Sequence, residues 1–266
     1  AGGVPAIMAE LRKEGLIHED VRTATGMTMG ENLEGHTSLD HDVITTCDKP
    51  MRQKAGFKVL SGNLFDSALM KTSVISDDFR ERFLSEPGNE GVFEAKAVVF
   101  EGPEDYHDRI NDASLGIDER TILFIRGVGA VGYPGSAEVV NMQPPDHIIH
   151  KGISHLPTVG DGRQSGTSES PSILNASPES VVGGGLAYLK TGDKVRLDFK
   201  KSTLDALVDD AEWQSRIDAW EPPELHHQTP WQEIYRTHVG QLADGGCLEL
   251  ATAYQKIGRD LPRDNH

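Results

Sequence analysis

The chain predicts a β-rich α/β fold, on three observations. Val92 to Phe100 and Thr121 to Ile125 are short, apolar and β-branched, with the length and composition of strands. Helical stretches fall between such runs without regular alternation, which argues against a doubly wound sheet. Glycine-rich turns follow directly on the buried runs, and no internal repeat is evident.

Taken in order, Val4 to Leu16 predicts an amphipathic helix, because Ile7, Met8, Leu11 and Ile17 recur at helical spacing and Gly15 supplies a stop. Residues 18–56 are polar and weakly patterned, as in a linker. Phe57 to Leu60 predicts a short strand. After the alternating strand Val92 to Phe100, Gly102 and Pro103 punctuate the chain, and Pro103 to Ile110 predicts a helix begun by proline in its first turn. Thr121 to Ile125 is a continuous apolar run and predicts a strand buried on both faces. Gly127 to Gly135 is a glycine-rich turn, and Ser136 to Met142 predicts a short helix. Leu156 to Val159 predicts another strand. Leu186 to Phe199 predicts a hairpin turning at Thr191-Gly192-Asp193. Residues 203–219 begin apolar and continue as a charged helix.

With 266 residues, 37% of them hydrophobic, the chain suits one large domain or two small ones with a real core. Lys and Arg number 26 against 42 Asp and Glu, for a formal net charge of -16. That balance excludes a nucleic-acid binder, which needs clustered cations to neutralise phosphates, and favours solubility. Cys47 and Cys247 are the chain's 2 cysteines and form no CxxC pair, so neither a disulfide framework nor a four-thiolate metal site is expected. This suits a reducing cytoplasm. No run approaches the ~18 apolar residues of a membrane span. The first residues carry no signal peptide and no initiator Met, so a truncated or processed chain is expected.

Two glycine-rich loops draw attention. Gly127-x-Gly129-x-x-Gly132 follows a strand and invites a dinucleotide reading. Pro134 and Gly135 crowd the position where the phosphate-binding helix should continue, and no acidic ribose ligand is evident. The second loop, GDGRQSGTS at 160–168, lies in a run of small and hydroxyl side chains, 159–180, that also holds Asp161 and Arg163. It lacks the P-loop lysine pattern. Its amides, with the hydroxyls of Ser165 and Thr167, suit an anion such as a carboxylate; an ordinary Asx or Ser/Thr turn is the alternative. Glu138 reads either as a helix-dipole residue or as a ligand for a hard cation such as Mg²⁺. His226 and His227 are adjacent on a loop between prolines and point apart, so they read as solvated rather than as a metal pair. His238 lies on an expected C-terminal helix, where a satisfied surface or core histidine is the default.

GNLFDSALMKTSVIS (62–76), VFEGPEDYHDRI (99–110), GAVGYPGSAEVVNMQPP (129–145), GDGRQSGTSESPSILNASPE (160–179) and LKTGDKVRLD (189–198) together resemble the C-terminal half of the dihydroxy-acid/phosphogluconate dehydratase family. The order and spacing agree over nearly the whole chain. Gln164, where branched-chain dehydratases tend to carry Phe, leans toward the sugar-acid branch, the arabinonate and xylonate dehydratases. The resemblance implies a β-barrel-like swivel domain flanked by helices. It implies a hydro-lyase that removes water from a 2,3-dihydroxy acid to give a 2-keto-3-deoxy acid, with Mg²⁺ and a [2Fe–2S] cluster in the complete enzyme. Carried over position by position, Ser165 is the base that takes the C2 proton, Thr167 and His238 contact substrate, and Glu138 is a Mg²⁺ ligand. A serine is a poor base unless a metal or dipole array stabilises its alkoxide, which a glycine-rich loop beside Mg²⁺ can do.

The family's cluster cysteines and most of its Mg²⁺ ligands belong to an N-terminal domain that this chain lacks. Cys47-Asp48-Lys49 imitates a string from that domain but stands in the wrong place and reads as coincidence. The expected organisation is a helix and linker over residues 1–56 and a barrel-like domain over 57–266, inactive alone and active in a homo-oligomer with the missing domain. A branched-chain dihydroxy-acid substrate and a stand-alone, non-catalytic acid-binding domain are the competing readings.

Overall fold

The structure, a computed structural model, describes residues 1–51, 56–134, 138, 142–164 and 169–252. The chain divides into two compact units, Ala1–Ala55 and Gly56–His266. In the first unit, α1 (Gly3–Lys13) ends where Gly15 turns left-handed at φ 69, its amide donating to the Arg12 carbonyl. A second helix, α2 (Met29–Asn32), interrupts the stretch expected to be linker. Thr28 and Glu31 cap it reciprocally, and four residues are too few to display an apolar period.

The second unit is built on β1 (Phe57–Gly62), β2 (Phe65–Lys71), β3 (Val92–Phe100), β4 (Thr121–Ile125), β5 (Thr158–Gly160), β6 (Ser172–Ser177), β7 (Lys194–Asp198) and β8 (Thr203–Ala206). They close into a barrel in the order β1-β2-β6-β5-β4-β3-β7-β8. The run β3, β4, β5, β6 is parallel, with Phe100, Ile125 and Gly160 in register at one end. β1–β2, β2–β6, β3–β7 and β7–β8 are antiparallel, and a single parallel pair, Ser61 with Thr203, joins β8 to β1. Around the barrel lie α3 (Asp77–Leu84), α4 (Pro103–Arg109), α5 (Asp146–Ile149), α6 (Asp210–Asp218), α7 (Pro230–His238) and α8 (Glu249–Thr252). The architecture is thus α/β and β-rich, a closed mixed barrel with flanking helices.

Alternation along the strands sorts the core into two layers. Ala97 and Val99 of β3, Ile122 and Phe124 of β4, and Val159 of β5 belong to one buried cluster that also takes in Met70, Val195 and Leu204 from the other strands. Val98, Phe100, Leu123 and Ile125 face the other way and pack with Tyr106, Ile148 and Leu156. That is why β4 is buried at every position: both of its faces are covered. Phe79, Phe83 and Phe93 form a ring cluster with centroids 5.0–5.4 Å apart, at a helix whose N-cap Ser76 accepts from the Phe79 amide.

Two expectations need correction. Leu186 to Phe199 is not a hairpin: Gly185–Tyr188 is a 3₁₀ turn, and β7 instead pairs with β3 and β8. Within the run 159–180, beyond the expected loop, the small side chains conceal a strand, β6, buried at Ser172 and Ser177. The helix expected over Ser136 to Met142 falls mostly outside the described residues, and Glu138 itself stands in an isolated bridge, not a helix.

Truncating Phe124 to Ala should cost about 3–5 kcal/mol, because a ring is removed from a closed barrel interior. Phe57→Ser, at a side chain left outside the barrel, should change stability by no more than about 0.5 kcal/mol. Urea unfolding of the two variants checks both, and equal losses would contradict this assignment of inside and outside.

Candidate active site

Because β3 to β6 run parallel, their C-terminal ends deliver four connections to one end of the barrel, the place where open and closed α/β sheets gather functional loops. Both glycine-rich loops leave from here, one after Ile125 and one after Gly160.

Asp161 joins them. It is 0% exposed. Its Oδ1 accepts from the Val128 amide at 3.0 Å, and its Oδ2 from the Gly127 amide at 3.1 Å, the Ser180 amide at 2.9 Å and the Ser180 hydroxyl at 2.6 Å. One carboxylate therefore ties the chain just after β4 and just after β6 to the chain just after β5. The loops touch so closely that a Cβ on Gly162 would lie 2.2 Å from the Val128 carbonyl oxygen, so no larger residue fits there.

Glu179 does the same for the far part of the first loop. It is 1% exposed and accepts from the Val131 amide at 3.0 Å, the Gly132 amide at 2.8 Å and the Gln241 side-chain amide at 3.1 Å. Gly129 packs on this carboxylate; a Cβ there would meet Oε2 at 2.4 Å. The carbonyls of Val131 and Gly132 in turn accept from Arg236 of α7, at 2.8 and 3.1 Å. The amides that a dinucleotide reading would offer to phosphate are thus occupied by the protein's own carboxylates. Burial pushes the Glu179 carboxyl above its ordinary range; the Gly132 and Val131 amides oppose this, neighbouring Asp161 adds to it, and Gln241 opposes it.

Of the residues expected at the site, Ser165 and Thr167 lie outside the described residues. Glu138 is exposed, and its backbone forms an isolated parallel bridge with Arg163, which immediately precedes Gln164 on the second loop. Glu138 and Arg163 are therefore neighbours across that bridge. His238 is half-buried at the end of α7, the helix whose Arg236 holds the first loop. His226 and His227 are exposed, as expected. Asp161, Glu179, Ser180, Arg236 and Gln241 went unassigned in the sequence, because their partners are distant in the chain and no local pattern marks them.

Beside the first loop lies a cleft of about 300 Å³ whose lining includes Arg126, Gly132, Ser180 and Trp220. Arg126 is already engaged, donating to the carbonyls of Leu186, Ala187 and Leu189 and pairing with Glu101. Among the described residues no group of three or more His, Cys, Asp or Glu could hold a metal by itself. The exposed Glu138 carboxylate fits one hard-cation ligand in a set completed by other groups. The cysteines do not fit an iron–sulfur cluster. Cys47 is partly buried with its thiol toward the Glu10 carbonyl, Cys247 has its thiol toward the Gly245 carbonyl, and the two belong to different units. No helix among the described residues is long and apolar enough to cross a membrane.

Asp161→Asn should destabilise the chain by about 3 kcal/mol, because an amide nitrogen would then face buried donors; a denaturant midpoint near wild type would contradict the cross-link. For Glu179 the folded state holds the proton more tightly than the unfolded chain. Its stabilising contribution is therefore full below the ordinary value of 4.5 and is lost as pH rises through the raised folded value. Unfolding free energy should fall over that window by at most about 1.4 kcal/mol per pH unit. Glu179→Gln should lack this component of the slope, and an unaltered slope in the variant would assign it to other groups.

A family profile described as dihydroxy-acid/6-phosphogluconate dehydratase C-terminal matches residues 42–247. The chain is similar to D-xylonate dehydratase of Caulobacter vibrioides, at 59% identity over 266 residues, covering 100% of this chain and 45% of the relative. It is 33% identical over 270 residues to L-arabinonate dehydratase of Rhizobium leguminosarum, covering 100% of the chain and 44% of the relative. It is 34% identical over 252 residues to dihydroxy-acid dehydratase of Lachnoclostridium phytofermentans, covering 94% of the chain and 42% of the relative. The chain thus spans less than half the length of these curated relatives. A profile match over most of the chain and identity of this extent show that it belongs to the dihydroxy-acid/6-phosphogluconate dehydratase family, to whose C-terminal domain residues 42–247 correspond.

Proposed function

We propose that this chain is the C-terminal part of a sugar-acid dehydratase, a hydro-lyase that converts an aldonate to a 2-keto-3-deoxy acid. The observation that supports the reading is the bridge between Glu138 and Arg163, a residue two positions before Ser165 in the sequence. The identity to D-xylonate dehydratase, higher than to the arabinonate and branched-chain enzymes, supports the substrate class.

In this reading Ser165, as its alkoxide, accepts the proton from C2 of the substrate, the C3 hydroxyl departs with its bonding electron pair and takes up that proton to leave as water, and the enol tautomerises to the keto acid. Thr167 donates its hydroxyl to the substrate, and His238 contacts it from the end of α7. Mg²⁺, when bound, supplies the positive charge that stabilises the developing aci-carboxylate and lowers the pKa of the serine, with Glu138 among its ligands. The buried carboxylates contribute by rigidity: the loops are held before substrate arrives, so no reorganisation accompanies charge development. The [2Fe–2S] cluster and the remaining cation ligands belong to an N-terminal domain that precedes this chain in the complete enzyme. Residues 1–56 then form a helix and linker ahead of the barrel domain 57–266. The complete enzyme works as a cytoplasmic homo-oligomer.

The isolated chain should show no turnover of D-xylonate or L-arabinonate, and clear product formation by it alone would sink the division of labour. In the complete enzyme, Ser165→Ala should lower kcat by about 10²–10⁴-fold, as expected for loss of a positioned base, with iron content retained. A rate equal to wild type would remove Ser165 from the mechanism. Preference for 2,3-dihydroxyisovalerate over pentonates would move the enzyme to the branched-chain class.

A further inference from the structure

Resting on the proposal that an N-terminal domain precedes this chain in the complete enzyme, we infer that α1 docks onto that domain through the face carrying Val4 and Ile7. The basis is a helix turned inside out. Ala6 and Ala9 are 0% and 5% exposed, whereas Val4 and Ile7 are 66% and 46% exposed. The third buried residue of the helix, Glu10, is a carboxylate paired with Lys13 at 2.5 Å. A surface helix of a self-sufficient fold points its large apolar side chains inward and its polar ones outward. Here Val4, Ile7 and the partly buried Leu11 follow one another along one stripe of the helix, at neighbouring positions one turn apart. The stronger apolar face of α1 therefore points away from the side chains it buries.

The rest of the unit adds little core. No Phe, Tyr or Trp occurs before Phe57. Among the described residues of Ala1–Ala55, the buried apolar side chains are Ala6, Ala9 and Leu33, while Leu16, Leu39 and Val43 are exposed along with Val4 and Ile7. A unit this small must bury most of its apolar side chains to offset the entropy of ordering its backbone. Large apolar residues left outside in such number, and at helical spacing, mark an interface. The relatives point to the occupant. The C-terminal domain profile begins at residue 42, after α1 and α2. D-xylonate dehydratase of Caulobacter vibrioides nevertheless aligns with the chain over all 266 residues, and more than half of that relative lies outside the alignment. Residues 1–41 thus belong to the chain shared with this relative but not to the C-terminal domain profile. The preceding domain supplies the apolar surface that covers α1, and this unit is the last piece of that domain's fold.

The test is hydrogen–deuterium exchange, read by mass spectrometry, on this chain alone and on the complete enzyme, each at low and high concentration. Amides of α1 should exchange on the order of 10²-fold more slowly in the complete enzyme. Ile7→Asp, which places a charge in the docked face, should return α1 of the complete enzyme to the rate of the chain alone while β4 keeps its protection. Ile7→Leu should match wild type, and neither change should alter exchange in the chain alone, where the side chain is exposed. Should Ile7→Asp fail to fold in the complete enzyme, Val4→Ser on the same stripe is read in the same way. Equal protection of α1 in the two proteins overturns the inference: the cover would then come from within this chain, or from a second copy where protection rises with concentration. Wild-type exchange in the complete Ile7→Asp enzyme overturns the docking face. Turnover of D-xylonate by the complete wild-type enzyme tests the hydro-lyase reading separately, so its failure and a failure of the docking are told apart.

Discussion

The arrangement at the barrel's loop end depends on one buried carboxylate. Asp161 stands where β5 ends and accepts hydrogen bonds from the chain segments that follow β4 and β6. Parallel strands bring their ends together but do not specify the path of the loops beyond them. Backbone amides at those ends lack ladder partners and must be satisfied if buried. A charged acceptor at the central strand meets that need for both neighbours at once, with charge-assisted bonds stronger than neutral ones. The close approach of Gly162 to Val128 belongs to the same loops, since Asp161 precedes Gly162 and accepts from the Val128 amide.

Internal carboxylates also explain why a glycine pattern resembling a nucleotide fingerprint need not bind a nucleotide. A concavity of amides attracts an anion irrespective of its source. Here Glu179 and Asp161 occupy it, and Gly129 is small because a carboxylate, not a pyrophosphate, approaches its backbone. The described part of the loop is thereby held by the protein's own carboxylates. Burying Glu179 has a cost, visible in its raised pKa, offset by the amides of Val131, Gly132 and Gln241.

Much of the barrel was legible in the chain. β3 and β4 match their expected limits because long β-branched or continuous apolar runs leave little ambiguity, and the helix begun by Pro103 was marked by its own first turn. β2 and β6 were not legible as strands. β6 reads SILNAS, and its serines are buried beside neighbouring strands, an environment no local window contains. The hairpin expected over Leu186 to Phe199 failed for a related reason. Its turn residues do form a turn, since the Asp193 amide donates to the Lys190 carbonyl, but the strand after it found β3 and β8 as partners. Tertiary pairing overrode local propensity there.

The sequence by itself determined the strand-rich class, the buried character of β4, the acidic surface, the presence of two small-residue loops after buried strands, and, through five ordered motifs, the family. Those properties are written in composition and in short-range pattern. Only the tertiary structure decided that the barrel closes, that Asp161 and Glu179 turn inward to hold the first glycine loop, and that Arg236 reaches that loop, and Gln241 reaches Glu179, from the C-terminal segment. A hydrogen bond between residues as distant as Val131 and Arg236 leaves no periodic trace in either segment. It exists because barrel closure brings the loop, the end of β6 and α7 to one place, where each buried polar group needs a partner.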